Sequence, residues 1–312
     1  MLTRRHIRIK VMQALFSFHQ GGSGDLKKGL VSLNDSIEKI YTLYLYELRM
    51  FWHFHRFLEE RLQIEKEKKI PNPNRESRIR DLLSMPFMHA LVSDDDVIAA
   101  WEMKSINWGD GVDMIRGAFF TFWNTEMDSD WFASTESADE QESVLWFKRF
   151  YRDAIANNES IQSYYEDQSM HWSDDLDAAQ MMAVQTLQNA KRGKPLLVKL
   201  FKDRDDEDFG EMIFIKAVTS HDELMKKVRA KSEKWDYERL APVDRCIIEQ
   251  SMIEVQYANE VPIKVTINEA IELAKQYSTE RSPGFINGLL DSLVKDMIAE
   301  GKVQKIGRGL IG

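Results

Sequence analysis

This sequence predicts an all-α fold, on three observations. Its 312 residues include only 15 Gly and 7 Pro, which favours long helices over many short, turn-connected strands. Apolar residues recur every three or four positions through most of the length, as a helix with one buried face requires. Strictly alternating apolar and polar runs, the mark of a half-buried strand, are scarce. With 43% apolar residues the chain can fill one large core or two ordinary ones. No apolar run approaches the roughly 18 residues of a membrane span, so none is expected. The basic start MLTRRHIRIKVMQALF superficially has the form of a leader. Lys10, Gln13 and His19 interrupt its apolar run at helical period, so an amphipathic helix of the mature protein is expected instead. The lone Cys246 excludes an intramolecular disulfide and fits a reducing, cytoplasmic setting. It is expected to pack as a small hydrophobe.

Element by element, a first helix is expected from Thr3 to about Gln20, closed by Gly21-Gly22-Ser23-Gly24. From Asp25 to about Lys69 the positions Ile37, Ile40, Tyr44, Leu48, Phe51, Phe54, Leu58 and Leu62 support one long or slightly broken helix. The segment Ile70-Pro71-Asn72-Pro73-Asn74 stops it. Shorter helices are expected over about 75–91, 94–104, 111–126, 140–158, 159–170 and 174–191. After Gly193-Lys194-Pro195, the run Leu196 to Phe201 can be a short strand or a buried helical turn. Asp203 to Asp208 is expected to be a solvated acidic loop, followed by helices over about 209–219 and 221–234. A faint repeat offset by 63 positions relates Phe150–Leu176 to Ile213–Leu240, with coincidence between helical patterns as its alternative.

The region from Trp235 to Val294 carries the densest punctuation. Asp244 follows Pro242-Val243 and opens an apolar stripe through Ile247, Ile248, Met252, Ile253 and Val255. Pro262 breaks the chain. Thr266-Ile267-Asn268-Glu269 has the form of a capping box, and Ser282-Pro283 that of an N-cap before a first-turn proline. Phe285, Ile286, Leu289, Leu290, Leu293 and Val294 supply the last stripe, with Gly288 expected to admit a close helix.

Charge is segregated along the chain. Residues 1–80 hold 16 Lys/Arg against 9 Asp/Glu, and residues 81–220 hold 12 against 27. A phosphate-binding surface therefore belongs near the N-terminus, while the middle would repel nucleic acid.

The phrases RLAPVDRCII, VPIKVTINEAIELAKQYS and FINGLLD, with RRHIR followed by Gln13-Ala14-Leu15-Phe16 near the N-terminus, resemble the NusB family of bacterial transcription antitermination factors. The resemblance covers residues 3–20 and roughly 205–297. It implies an all-α, NusB-like pair of helical bundles enlarged by a central helical insertion. The expected divisions are 1–64 for the N-terminal helices, 65–204 for an acidic helical insertion, 205–300 for the C-terminal bundle and 301–312 for a flexible tail. The family is shorter than half this chain, so it supplies no role for the insertion.

The resemblance also implies a function: non-enzymatic binding of boxA RNA in ribosomal RNA leader transcripts, jointly with NusE, a small-subunit ribosomal protein. The assembly would help RNA polymerase in an antitermination complex read through terminators. By resemblance, Arg4, Arg5 and Arg8 would hold RNA, with Arg281 and Phe285 at the start of the last helix. Guanidinium suits phosphate because its planar fork donates two hydrogen bonds and stays charged. An exposed helix N-terminus attracts phosphate, and an aromatic ring beside it can stack on an unpaired base. Phe16, Asp244 and Arg245 would contact NusE, with Ile9, Met12 and Phe16 forming an apolar patch off the core stripe of Ile7, Val11, Ala14, Leu15 and Phe18.

Plainer readings stand beside these. The arginines can be a basic helix end, Phe285 can be core, and Asp244 can be a helix N-terminal charge. No cofactor, catalytic residue or metal site is expected. His53 and His55 face different directions on a helix, and Asp203–Asp208 lacks the Gly and the closing Glu of a calcium loop. The aromatic residues around Trp101–Trp131 read as insertion core. Alternatives are an acidic protein-binding scaffold with a reduced RNA surface, or a remnant of an RNA methyltransferase, which would need a catalytic Cys.

Overall fold

A computed structural model describes residues 1–22, 24–126, 140–169, 171–231 and 240–310. Among these, all regular structure is helical. The chain forms two compact units, one of residues 38–200 with Met1, the other of residues 2–37 and 201–312. These breaks differ from the sequence divisions at 64/65 and 204/205. Trp235–Arg239, with the end of the second repeat copy, and Trp131 lie outside the described residues.

Helix α2 (Leu26–Glu67) shows why one break falls inside a helix. Its residues to Ile37 belong to one unit and those from Glu38 to the other. In the latter unit its buried Phe51, Phe54 and Phe57 meet rings from the following helices. These helices are α3 (Pro73–Ser84), α4 (Pro86–Ser93), α5 (Asp95–Met103), α6 (Val112–Glu126) and α7 (Glu140–Phe150), which widens into a π-helical turn at Tyr151–Ala156. Then follow α8 (Glu159–Gln168) and α9 (Trp172–Lys191). Phe54 stacks on Phe150 with centroids 3.9 Å apart, and Phe51 meets Phe87 edge-on at 5.3 Å. Burying each ring contributes roughly 1.5–3 kcal/mol, so this aromatic core holds the second half of α2 within this unit. Trp101, Trp108, Phe119, Phe122 and Trp123 are core here, as expected.

Several local expectations shift for identifiable reasons. The helix expected over 75–91 divides at Pro86, which cannot donate to the preceding turn. Asn72 caps α3 by accepting from the amides of Asn74 and Arg75. The run Leu196–Phe201 is neither strand nor helix. Leu196 and Val198 are buried, and the Val198 amide donates to the Tyr44 hydroxyl at 3.0 Å, so it needs no ladder partner.

The other unit contains α1 (Arg4–Gly21), α10 (Arg204–Lys231), α11 (Pro242–Tyr257), α12 (Ile263–Tyr277) and α13 (Ser282–Ala299). The acidic loop expected at Asp203–Asp208 is instead the first turn of α10. Asp203 accepts the Asp206 amide, and Asp205, Asp206 and Glu207 occupy the end where carboxylates are favoured. The helix then runs on unbroken to Lys231. Helices α10 and α1 approach closely at Gly210, where a Cβ would lie 2.8 Å from Ile7 Cγ2. Gly288, by contrast, is exposed with nothing near its Cβ direction, so it admits no neighbouring helix. The tail segment 301–310 bonds back to the bundle. Lys302 pairs with Glu223, and the Ile306 amide donates to the Asn259 carbonyl.

Glu47 of α2 is buried in the first unit, where the Tyr151 hydroxyl donates to it. Desolvation lifts its carboxyl from about 4.5 to about 7, and hydrogen bonding opposes the lift only in part. Because the folded pKa is the higher one, this group's contribution to stability is fully present below about pH 4.5. It is lost as pH rises through about 7, with a penalty on the order of 3 kcal/mol. Glu47→Gln should therefore raise the melting temperature of this unit at about pH 8 by several degrees. It should also flatten the stability profile between about pH 5 and 8, measured by thermal denaturation across that range.

Candidate nucleic-acid interface

Helix α1 presents its three arginines very differently. Thr3 precedes the helix, and its amide donates to His6 Nδ1, while Gly22 ends the helix in the left-handed conformation. Arg5 is the exposed one, with 54% of its side chain accessible, and it donates two hydrogen bonds to Glu269 at 2.7 and 2.9 Å. Arg4 is partly exposed; it pairs with Asp206 at 2.8 Å and sits over the Phe209 ring.

Arg8 departs from the expected RNA-facing role. It is buried at 5% and makes a two-pronged pair with Glu254, itself 1% exposed. Thr266 Oγ1 donates to the same Glu254 at 2.7 Å. A phosphate could reach Arg8 only by opening this pair. The Thr266–Glu269 phrase is therefore not a capping box. Helix α12 begins at Ile263, and both residues bond across the bundle, Thr266 to α11 and Glu269 to α1.

The second cluster lies beyond the other end of α12. Arg281 and Gly284 are exposed, and Phe285 is half-buried. Ser282 does not cap its helix; its hydroxyl donates to Asp244 Oδ2 at 2.8 Å. Asp244 is consequently 4% exposed and holds the start of α13 against the start of α11, so it offers no surface to a partner. Arg245 is partly exposed. Of the expected apolar patch, Ile9 and Met12 are buried while Phe16 is 36% exposed. Phe16 is therefore the exposed member of the three, separated from Arg5 by about 16 Å of helix.

Sequence reasoning missed one cluster. His19 Nε2 and His221 Nδ1 each lie 2.9 Å from the buried carboxylate of Glu249. Separations of 202 and 28 positions gave no motif, and His19 registered only as an interruption of an apolar run. Cys246 is buried, and burial pushes its thiol up to about 12, which leaves no nucleophile for methyl-transfer chemistry.

The burial contrast predicts a contrast in stability. Arg8→Ala strands Glu254 in the core and should cost roughly 3–5 kcal/mol. Arg5→Ala breaks an exposed pair and should cost less than about 1 kcal/mol. Chemical denaturation of the two variants measures both.

Comparison with known proteins adds to this geometry. The family model described as "NusB family" matches residues 177–295, beginning within α9. A protein named transcription antitermination protein NusB from Salinibacter ruber is 37% identical over 115 residues, which is 37% of this chain and 72% of that protein. One of the same name from Thermoanaerobacter is 38% identical over 104 residues, covering 32% of this chain and 74% of its own. Another from Methylacidiphilum infernorum is 41% identical over 95 residues, 30% of this chain and 66% of its own. No solved structure matches. With the all-α bundle and the identity across most of these shorter relatives, the chain belongs to the NusB family.

Proposed function

We propose that this protein is a transcription antitermination factor that binds boxA RNA of ribosomal RNA leader transcripts together with NusE, and so promotes read-through by RNA polymerase. The observation that carries this reading is the sorting of arginines on α1. Arg8 anchors the helix from within, and Arg5 stands 54% exposed on the fixed surface that results. Arg4 and Arg5 supply position and salt-dependent affinity through phosphates. Arg281 adds charge at the start of α13, where Phe285 is the candidate platform for an unstacked base. Arg8 and Asp244 act as positioning residues, beneath the surface. Phe16, with the exposed part of Arg245, is the contact for NusE. Joining the two proteins combines two weak RNA surfaces into one stronger one.

A second reading, an acidic scaffold with a reduced RNA surface, has one specific observation in its favour. Every arginine at the start of α1 already faces a carboxylate: Asp206, Glu269 or Glu254. The exposed pair of Arg5 with Glu269 contributes about 0–1 kcal/mol net, so phosphate can displace or share it at little cost, while the pair of Arg4 with Asp206 is part-buried.

Titration with boxA-containing RNA across a salt series, with and without NusE, decides between them. Arg4→Glu with Arg5→Glu should weaken binding and reduce the salt slope by about 1.4, at about 0.7 per single-strand phosphate contact. Equal affinity for a scrambled RNA would remove the boxA assignment. Phe16→Asp should weaken NusE pairing in a pull-down or calorimetric titration while leaving the helical circular dichroism unchanged. A loss of helicity would show instead that Phe16 is structural.

A further inference from the structure

We propose that His19, His221 and Glu249 form a binding site for a divalent zinc ion. The three residues come from α1, α10 and α11, and their ligand atoms lie within 4.8 Å of one another. Among the described residues this is the group of His, Cys, Asp and Glu side chains so arranged. Two imidazoles and one carboxylate are a ligand set that zinc accepts, with a fourth position left for water. The cleft of about 660 Å³ in front of the histidines, lined also by Phe18, Ser220 and Asp222, gives that water access.

Burial is arranged as such a site requires. Glu249 is 0% exposed at the base, while the side chains of His19 and His221 are 21% and 36% exposed at the mouth. Both imidazoles lie 2.9 Å from the Glu249 carboxylate, so its oxygens already face the two nitrogens.

The spacing is close to that of a filled site. Tetrahedral zinc with bonds of about 2.0–2.1 Å separates its ligand atoms by about 3.3–3.4 Å. The two N–O separations of 2.9 Å therefore need to open by about half an ångström. The imidazoles border the cleft, with ring centroids 4.2 Å apart, and small rotations there supply that change. A bound ion would join the last turn of α1 to α10 and α11. This inference rests on the three helices alone and is independent of the RNA reading.

The test uses the full-length chain, free of affinity tag and stripped of metal. Calorimetric titration with zinc should show one equivalent bound, and cobalt should give the intense visible bands of a tetrahedral site. Zinc should raise the melting temperature, since an ion bound only by the folded state stabilises it. His221→Gln, at a partly exposed position, should retain the wild-type circular dichroism. It should weaken zinc binding by more than about tenfold, because losing a ligand exceeds the loss of a supporting partner, and abolish the cobalt bands; His19→Gln should do the same. Absence of stoichiometric binding by the unaltered protein would overturn the site and leave a hydrogen-bonded His–Glu–His clamp. Binding unchanged in both histidine variants would also overturn it, by placing the metal elsewhere.

Discussion

The pair of Arg8 and Glu254, closed by Thr266, is the constraint on which the NusB-like unit depends. It lies where α1, α11 and α12 meet, and both charged groups are almost entirely out of water. Such a pair adds little net stability compared with apolar packing, yet removing either member leaves an uncompensated charge. Its effect is therefore on arrangement. A slip of α1 by one or two residues leaves Glu254 without its guanidinium, and a slip by a whole turn, which would offer it Arg4, takes Ile7 out of its place against Gly210. With the register set, Ile7, Val11 and Leu15 face the core, Gly210 lets α10 approach Ile7, and Arg5 faces Glu269 at the surface.

A different constraint governs the acidic unit. There the second half of α2 is held by rings, with Phe51, Phe54 and Phe57 set among Phe87, Phe119, Phe147 and Phe150. Among the described residues its carboxylates are mostly left to solvent, with Glu47, Glu65 and Asp175 buried. The negative charge of residues 81–220 is thus compatible with a large apolar interior. The family match, residues 177–295, takes in only the end of this unit.

Helix positions were legible where the signal is local. Thr3 and Gly22 bound α1, Pro242 opens α11, and the apolar stripes of α11 and α13 face inward. Legibility failed where a residue with a familiar local role bonds across the bundle. Thr266 and Glu269 match a capping box, Ser282 an N-cap and Asp244 a helix-end charge, but their partners lie on other helices. The acidic run at Asp203–Asp208 was misread for the opposite reason, since its charge suggested a loop while its capping geometry makes a helix start. Arg8 and Arg5 are alike as residue types; helical phase sets Arg8 beside the core stripe and Arg5 farther round, but the partner that holds Arg8 in the core lies 246 positions away. The His19–Glu249–His221 group is hidden for the same reason.

Those distant partners also bear on how the proposed RNA surface would work. Binding a phosphate at Arg8 would require breaking a buried pair, at a cost on the order of 3–5 kcal/mol, more than one charge-assisted contact returns. Displacing Glu269 from the exposed Arg5 costs at most about 1 kcal/mol, and the part-buried pair of Arg4 with Asp206 lies between the two cases. Under the proposed reading, α1 then contributes two phosphate contacts rather than three. Too few contacts remain on α1 to make a tight site alone, so Arg281 with Phe285 and the second protein have to supply the rest. On that reading, dependence on a partner would follow from which arginine the fold has taken into its core.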